Sequence, residues 1–545
     1  MAYQTVLTNF LENSKKYQEQ AFLHQPIESV WHTFSFNEVE QQARIIASAL
    51  LEQGFKPGDR IGLLSKNCAQ WFIADLAIMM AGMISVPIYS TANVKTISYI
   101  IEHSQMKALF IGKLDSVDAI TESLCDDLLT ISFPYPTLTC KSLWQDYLET
   151  YEPLVETHQA TLNECVSIVY TSGTTGVPKG VVISHLNLTS AAYSICNLLD
   201  ASRNDRVMSY LPLAHITERS IIESAAYTCA MQVYFVEDLN TFIDDVRHAS
   251  PTLFLSVPRL WAKFQAQIFA KMPAKKLNFL LKIPFIGKKI ANKIKLNLGL
   301  SSARIFASGS APIAKSLLIW FQKLGINISE GWGMTETSGM SCGNLPFVAE
   351  RIGTIGVPVD CVEMKFSEQQ EILIRGDAVF NEYYLNPEAT AKEFTGEWFH
   401  TGDKGQITED GAYKIIGRIK EQFKTSKGKY VAPVPIEGML CRNSTIEQVC
   451  VIGSGLKQPI ALVVLGEGIE RTDLDVQHEL QSTLEAVNSE LESHQRLDYI
   501  YICAHPWDID NELLTPTLKL KRNSIEQYYI DKLPENNSSK LVIEG

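Results

Sequence analysis

Apolar residues recur at helical spacing through FNEVEQQARIIASALLEQGF (36–55), which predicts an amphipathic helix. The turn KPGDR follows, and IGLLS (61–65) reads as a short apolar strand. The next run, WFIADLAIMMAGMISVPIYS (71–90), is apolar almost throughout but contains Asp75, Gly82 and Pro87. It fits either a membrane span or a buried helix running into a strand, and the interruptions favour the second. Helix VKTISYIIEHSQ and strand ALFIG continue the alternation, and a second series runs from CVSIVYTS through ARIFASGSAP to GINISEGWGM. Alternating helices and strands predict an α/β fold with a mainly parallel sheet. After residue 350 the pattern shifts to short strands with turn signals, such as EILIRGDAV and GQITEDGAYKIIGR, where Asp410-Gly411 suits a hairpin. The polar, glycine- and lysine-rich GRIKEQFKTSKGKYV (417–431) predicts a hinge before a small α+β unit, and the tail PENNSSKLVIEG is expected to be loose.

The chain has 545 residues. A single core rarely grows past roughly 250–300 residues, so more than one domain is expected. The boundary is drawn at the hinge, giving 1–418 and 419–545. The net charge of −13 argues against nucleic-acid binding, which needs a basic field. The eleven cysteines form no CxxC pair and are scattered among apolar segments, as expected of buried thiols in a reducing compartment. The N-terminal MAYQTVLTNFLENSKKYQEQAFL lacks a basic start before an apolar core and reads as a surface helix, not a signal peptide. A cytoplasmic protein without a transmembrane segment is expected.

One stretch departs from the acidic balance. Residues 262–300 contain nine lysines, from Lys263 to Lys295, and no Asp or Glu, with apolar residues interleaved. Two readings stand: a solvated helix face over the core, or a surface for an anionic membrane.

The run YTSGTTGVPKG (170–180) concentrates glycines, hydroxyls and a lysine after an apolar strand. Glycines let backbone N–H groups converge on an anion, and Thr171, Ser172, Thr174, Thr175 and Lys179 add donors and charge around Gly173 and Gly176. The pattern GxxxxGK[ST] is not met, because Pro178 precedes the lysine and Gly180 follows it. Composition alone leaves a flexible surface loop as an equal reading.

The whole string resembles the signature loop of the acyl-adenylate-forming superfamily, which includes acyl-CoA synthetases, luciferases and peptide-synthetase adenylation domains. Further segments resemble that family in the same order along nearly the entire chain. EGWGMTET (330–337) is similar to its second nucleotide motif, which implies Gly331, Trp332 and Gly333 beside adenine, Thr335 on phosphate and Glu336 on Mg²⁺. GSAP (309–312) implies that Gly309 and Ser310 border the adenine and acyl sites. WFHTGDKG with IIGR implies Asp403 on both ribose hydroxyls and Arg418 on ribose or phosphate. LPLAHITER implies His215 near the acyl carboxylate, GRIKE implies Lys420 as a pivot, and SKGKYVAP implies Gly428 beside the pantetheine arm of CoA. LLTPTLKLKR resembles the catalytic-lysine motif. Aligned through Arg522 it points to Lys519, although Leu518 stands where the family has glycine, which keeps Lys521 as an alternative.

The resemblance implies a large N-terminal α/β domain of mixed sheets sandwiched by helices, with a β-barrel-like part, and a small mobile α+β C-terminal domain. It implies ATP, Mg²⁺ and coenzyme A, and two steps: a carboxylate attacks the α-phosphate to give acyl-AMP and pyrophosphate, then a thiol takes the acyl group. The layout, including the 262–300 insert, is closest to long-chain fatty acid–CoA ligases. Partners are then fatty acid, ATP and CoA, with no nucleic acid; a homodimer and peripheral membrane contact through 262–300 are open. The rivals are a fatty acyl-AMP ligase or another adenylate-forming ligase with a different acid or acceptor, and a catalytically inactive membrane-binding relative.

Overall fold

The architecture is that of a computed structural model, in which residues 3–135, 138–171, 177–443, 445–509, 511–515, 519–534 and 539–544 are described. A seven-stranded sheet runs in the order Ser142–Leu143, Leu129–Ser132, Ala108–Ile111, Arg60–Leu64, Ile84–Ile88, Cys165–Thr171, Lys179–Ser184. It is parallel except for its last pair. Strands buried on both faces need continuous apolar runs, and all four residues of Ala108–Ile111 are buried.

The apolar run at 71–90 is an interior helix, Ala69–Met80, leading into the strand Ile84–Ile88. Every residue of that helix is buried, which explains why it is hydrophobic all round. Asp75 is tolerated there because Arg219 meets it at 2.7 Å, while the same guanidinium approaches Glu223 at 3.5 Å and donates to Ser85 Oγ at 2.7 Å. Arg219 and Glu223 lie on a π-helical turn, Glu218–Ser224. Among the described residues no helix is long and apolar enough to cross a membrane.

Two further sheets complete the helix-covered body. One orders Arg206–Ser209, Gln232–Phe235, Ala21–Ile27 and Val30–Ser35; the other orders Leu253–Ser256, Ile305–Ser308, Ile328–Met334, Gly339–Gly343 and Val357–Pro358. The lysine-rich stretch forms the crossover between Leu253–Ser256 and Ile305–Ser308, as helices Pro258–Lys271, Ala274–Leu281 and Ile286–Asn297. Beyond residue 360 an antiparallel sheet centres on Trp398–Ile407, which pairs with Glu371–Gly376, Phe394–Thr395 and Tyr413–Arg418.

The smaller C-terminal domain has apolar cores of its own, made only of residues beyond 420. Its sheet orders Ile446–Ile452, Ile460–Leu465, Ile500–Ile502 and Leu541–Ile543. The tail therefore departs from the expected looseness: Leu541–Ile543 adds a parallel edge strand to Ile500–Ile502, because LVI is the one apolar run in that segment. The N-terminal segment is a helix, Val6–Tyr17, whose inner face buries Val6, Leu7 and Phe10. All eleven cysteines are free thiols, six of them buried.

Candidate active site

The strand Ile328–Met334 and its antiparallel partner Gly339–Gly343 approach so closely that a Cβ on Gly333 would lie 1.6 Å from Gly339 O. Only glycine fits there. The tight return carries a single turn, Thr335–Thr337, which sets Thr335 half-buried and Glu336 buried at 9% exposure. Tyr383 Oη donates to Glu336 Oε1 at 2.9 Å, and Phe380 N–H donates to Glu336 O at 2.8 Å. Among the described residues Glu336 Oε2 has no hydrogen-bond partner, and no group of three or more His, Cys, Asp or Glu could cage a metal. A lone carboxylate suits Mg²⁺ arriving with a nucleotide, since that ion takes one or two carboxylates and fills its other positions with phosphate oxygens and water.

Asp403 and Arg418 are directly opposed across neighbouring strands, brought level by a one-residue register shift between Lys404 and Gly405. Arg418 Nε donates to Asp403 Oδ1 at 2.8 Å, and Trp332 Nε1 donates to Oδ2 at 3.0 Å. This carboxylate, 3% exposed, ties the two sheets together. Asp403 raises the pKa of the Arg418 guanidinium above its ordinary value.

Lys519 lies within electrostatic reach of Arg418, Glu336, Asp403 and Glu421. Protein surrounds it, yet its side chain still meets solvent. Crowding by protein, then the Arg418 charge, lower its pKa, while the three carboxylates oppose that shift. Its backbone is fixed by Lys519 N–H to Thr515 Oγ1 at 3.1 Å and Thr515 N–H to Lys519 O at 2.8 Å. Lys521 instead donates its N–H to Leu513 O at 2.9 Å and precedes helix Arg522–Ile530. Arg522 anchors that helix, with Nη2 on Glu437 Oε2 at 3.0 Å and Nη1 on Val451 O at 2.9 Å.

His215 shares this electrostatic neighbourhood: burial first, then Lys519, push its pKa down to about 3. Thr217 N–H donates to its Nδ1 at 3.1 Å, so the neutral ring carries its proton on Nε2. Thr217 Oγ1 lies 3.4 Å from Ser310 Oγ, joining the two segments, and Gly309 packs against Gly331, where an added Cβ would stand 3.3 Å from Gly331 O.

Thr171 and Lys179 are register partners at the mouth of the glycine-rich loop. Ser172, Gly173, Thr174, Thr175 and Gly176 lie outside the described residues. Lys179 Nζ sits 4.6 Å from the centroid of the Tyr383 ring and 3.7 Å from Glu393, and Lys420 reaches the same Glu393 oxygen at 3.3 Å. Gly428 stands apart from this group. It occupies the turn of the hairpin Phe423–Lys424/Tyr430–Val431 at φ +77°, and that turn bonds to itself and to Leu456.

Tyr383 and Glu393 were missed in the sequence. The only signal was the aromatic run FNEYYLNP, which nothing local ties to Glu336. In the fold an isolated bridge from Val181 to Tyr383 attaches that run to the strand bearing Lys179.

Residues 10–384 match the model of the AMP-binding enzyme family, and residues 420–535 match the AMP-binding enzyme C-terminal domain. The chain is similar to Long chain acyl-CoA synthetase 2 of Arabidopsis thaliana, 30% identical over 95% of this chain and 90% of that one. It is also similar to Fatty acyl-CoA synthetase B of Dictyostelium discoideum, 29% identical over 92% and 84%. An anthranilate CoA ligase solved with anthranoyl-AMP shares the fold with a TM-score of 0.80 at 22% identity, covering 97% of this chain and 98% of that one. The adenylation domain of a carboxylate reductase from Mycobacterium chelonae superposes with a TM-score of 0.81 at 20% identity, over 97% and 90%. The chain belongs to the family of AMP-binding enzymes.

Proposed function

We propose that the protein is an AMP-forming long-chain fatty acid–CoA ligase. The observation that carries this reading is the meeting of Trp332, Asp403, Arg418, Glu336 and Lys519 in one electrostatic neighbourhood. The names of its relatives, a long chain acyl-CoA synthetase and a fatty acyl-CoA synthetase, support the acid and the acceptor.

In this reading Asp403 receives the two ribose hydroxyls and Trp332 offers its ring to adenine. The loop 171–179 holds the β- and γ-phosphates through its N–H groups, hydroxyls and Lys179. Glu336 and the nucleotide would hold Mg²⁺, which supplies positive charge at the phosphates. The fatty carboxylate attacks the α-phosphorus, the bond to the bridging oxygen breaks, and pyrophosphate leaves. Both reactants are anions, so Lys519 acts as an ammonium that stabilises charge at the α-phosphate, and the neutral His215 donates from Nε2 to the acyl carboxylate. Thr335 adds a hydroxyl on phosphate, and Gly309, Ser310, Gly331 and Gly333 let the nucleotide lie against backbone.

The second step uses the same site with different residues. Residues 1–418 form the adenylation domain and 419–545 the mobile one, which turns about Lys420. Lys519 leaves and the hairpin at Gly428 enters beside the pantetheine arm. The CoA thiolate attacks the acyl carbonyl, and AMP departs. Lys420 and Lys179 share one Glu393 oxygen, so breaking the Lys420–Glu393 contact leaves that carboxylate to Lys179 alone, which couples the pivot to the phosphate loop.

Lys519→Ala is expected to slow fatty-acid-dependent ATP–pyrophosphate exchange by about 10²–10³-fold, the usual cost of losing one transition-state charge partner. Thioester formation from supplied acyl-AMP and CoA should stay near normal. Equal losses in both half-reactions would refute the division of labour. A panel of acids of rising chain length, with direct thioester detection, tests acid and acceptor together.

A further inference from the structure

The segment 262–300 is the most strongly polarised surface of the chain: nine lysines and no acidic residue, in a protein of net charge −13. None of the nine forms an ion pair among the described residues. A solvated face on an acidic protein ordinarily finds carboxylates.

The helices Ala274–Leu281 and Ile286–Asn297 pack as a hairpin whose inner residues, Leu277 and Ala291, join the core around Trp261 and Phe321. Gly287 permits the close approach, since a Cβ there would lie 2.5 Å from Leu281 O. The outer stripe of the first helix runs Lys275, Phe279, Lys282, and that of the second runs Lys289, Lys293, Leu296, each a turn apart. Large apolar side chains stand in the open among these cations: Phe279 at 66% exposure, Leu296 at 64% and Phe285 at 90%.

Phe285 is at the tip, between the helices. Its φ of +64° and ψ of −47°, with Ile286 N–H donating to Pro284 O at 2.8 Å, make a γ-turn of the rare positive-φ kind. A bulky L-residue is strained there, and its ring gains nothing from packing inside the chain. A strained and exposed aromatic tip, with exposed Lys282, Lys288 and Lys289 close to it in sequence, suits a partner that offers an apolar interior behind an anionic surface.

We propose that this helical hairpin docks on a bilayer containing anionic lipid, with Phe285 inserted below the headgroups and the surrounding lysines on them. A bilayer fits better than an acidic protein, because the apolar groups are isolated and spread along two helices, and lysine stems bury their methylenes while the ammonium stays at the interface. The inference stands on surface chemistry and is independent of the ligase reading.

The test is co-sedimentation of the full chain with vesicles of phosphatidylcholine alone, or of phosphatidylcholine mixed with phosphatidylglycerol. Binding should appear with the mixed vesicles and fall with rising salt. Each lysine near a charged surface contributes about 1 kcal/mol, or about fivefold. The Lys282→Gln, Lys288→Gln, Lys289→Gln triple variant should therefore bind on the order of a hundredfold more weakly. Phe285→Gly relaxes the γ-turn, so its melting temperature should hold or rise while vesicle binding falls by tenfold or more. Equal binding to neutral vesicles, binding to neither, or full binding by both variants would overturn the proposal. So would variants that alter only sedimentation of the free protein, which would make the occupant a second copy of the chain.

Discussion

Replacing Asp403 by asparagine tests the nucleotide reading at one atom. The carboxylate has about four lone-pair sites on two oxygens. Arg418 Nε takes one on Oδ1 and Trp332 Nε1 takes one on Oδ2. One lone pair on each oxygen remains, a matched pair of acceptors for two neighbouring hydroxyls. Asparagine keeps one acceptor oxygen and turns the other into an NH₂ group, which must then face the N–H of Trp332 or Arg418. Leaving one buried donor unpaired costs about 1–3 kcal/mol, and losing a charge-assisted bond to a ribose hydroxyl costs about 1.5–3 kcal/mol. The Arg418 side chain is 40% exposed, so water relieves part of the first cost and the lower ends apply. The expected loss is about 3 kcal/mol, or on the order of a hundredfold in kcat/KM for ATP, carried mainly by KM. Fatty-acid-dependent ATP–pyrophosphate exchange measures it, run with ATP and with 2′-deoxy-ATP. The parent enzyme should prefer ATP, and the variant should discriminate less, because the group that reads the hydroxyl is gone. Unchanged discrimination, whatever the absolute rate, refutes the assignment of Asp403 to ribose.

Other consequences are equally direct. Because its surroundings lower the Lys519 pKa, the adenylation rate should fall on the alkaline side at a pH below the ordinary lysine range, while thioester formation from supplied acyl-AMP should lack that limb. Asp403 holds the Lys519 pKa up, so Asp403→Asn should move the limb to lower pH still. Arg219→Met strands Asp75 and Glu223 in the interior without a cation and should cost about 3–5 kcal/mol in urea unfolding, where an unchanged midpoint would contradict the buried pairing. Burial raises the Glu330 pKa from 4.5 to about 7, so its contribution to stability is fully present below 4.5 and is lost as pH rises through about 7. Glu330→Gln, which keeps an acceptor for Gly353 N–H at 2.6 Å in the parent, should remove that part of the pH slope in chemical denaturation.

What was legible in the sequence divides by the distance over which a structure is specified. Helices and strands of the first body follow from local period, and the Ala69–Met80 helix follows from its unbroken apolarity. Asp403 and Arg418 were each legible through their motifs, but their pairing was not: a one-residue register shift between Lys404 and Gly405 sets Arg418, and not Gly417, opposite Asp403. The tail strand Leu541–Ile543 was not legible either, since three apolar residues become a strand only when an edge is waiting for them. Tyr383 and Glu393 were equally hidden. Their partners, Glu336 and Lys179, lie 47 and 214 residues away, and only the packing of FNEYYLNP along the strand Lys179–Ser184 joins them.

Lys519 marks the remaining gap, and its cause is physical. Sequence narrowed the catalytic cation to Lys519 or Lys521, two residues apart on an extended run, where side chains two apart share a face. Periodicity therefore cannot separate them. What separates them is how the run is held at its two ends. Thr515 closes a turn on Lys519, while Arg522, fixed to Glu437 and Val451, starts a helix immediately after Lys521. Lys519 lies within electrostatic reach of Arg418, Asp403 and Glu336 across the boundary. In the proposed mechanism, the charge that the first reaction needs thus belongs to the domain that would move for the second. The lysine motif is written in sequence, but its use depends on how the smaller domain is seated against the larger one, a contact for which no local pattern codes.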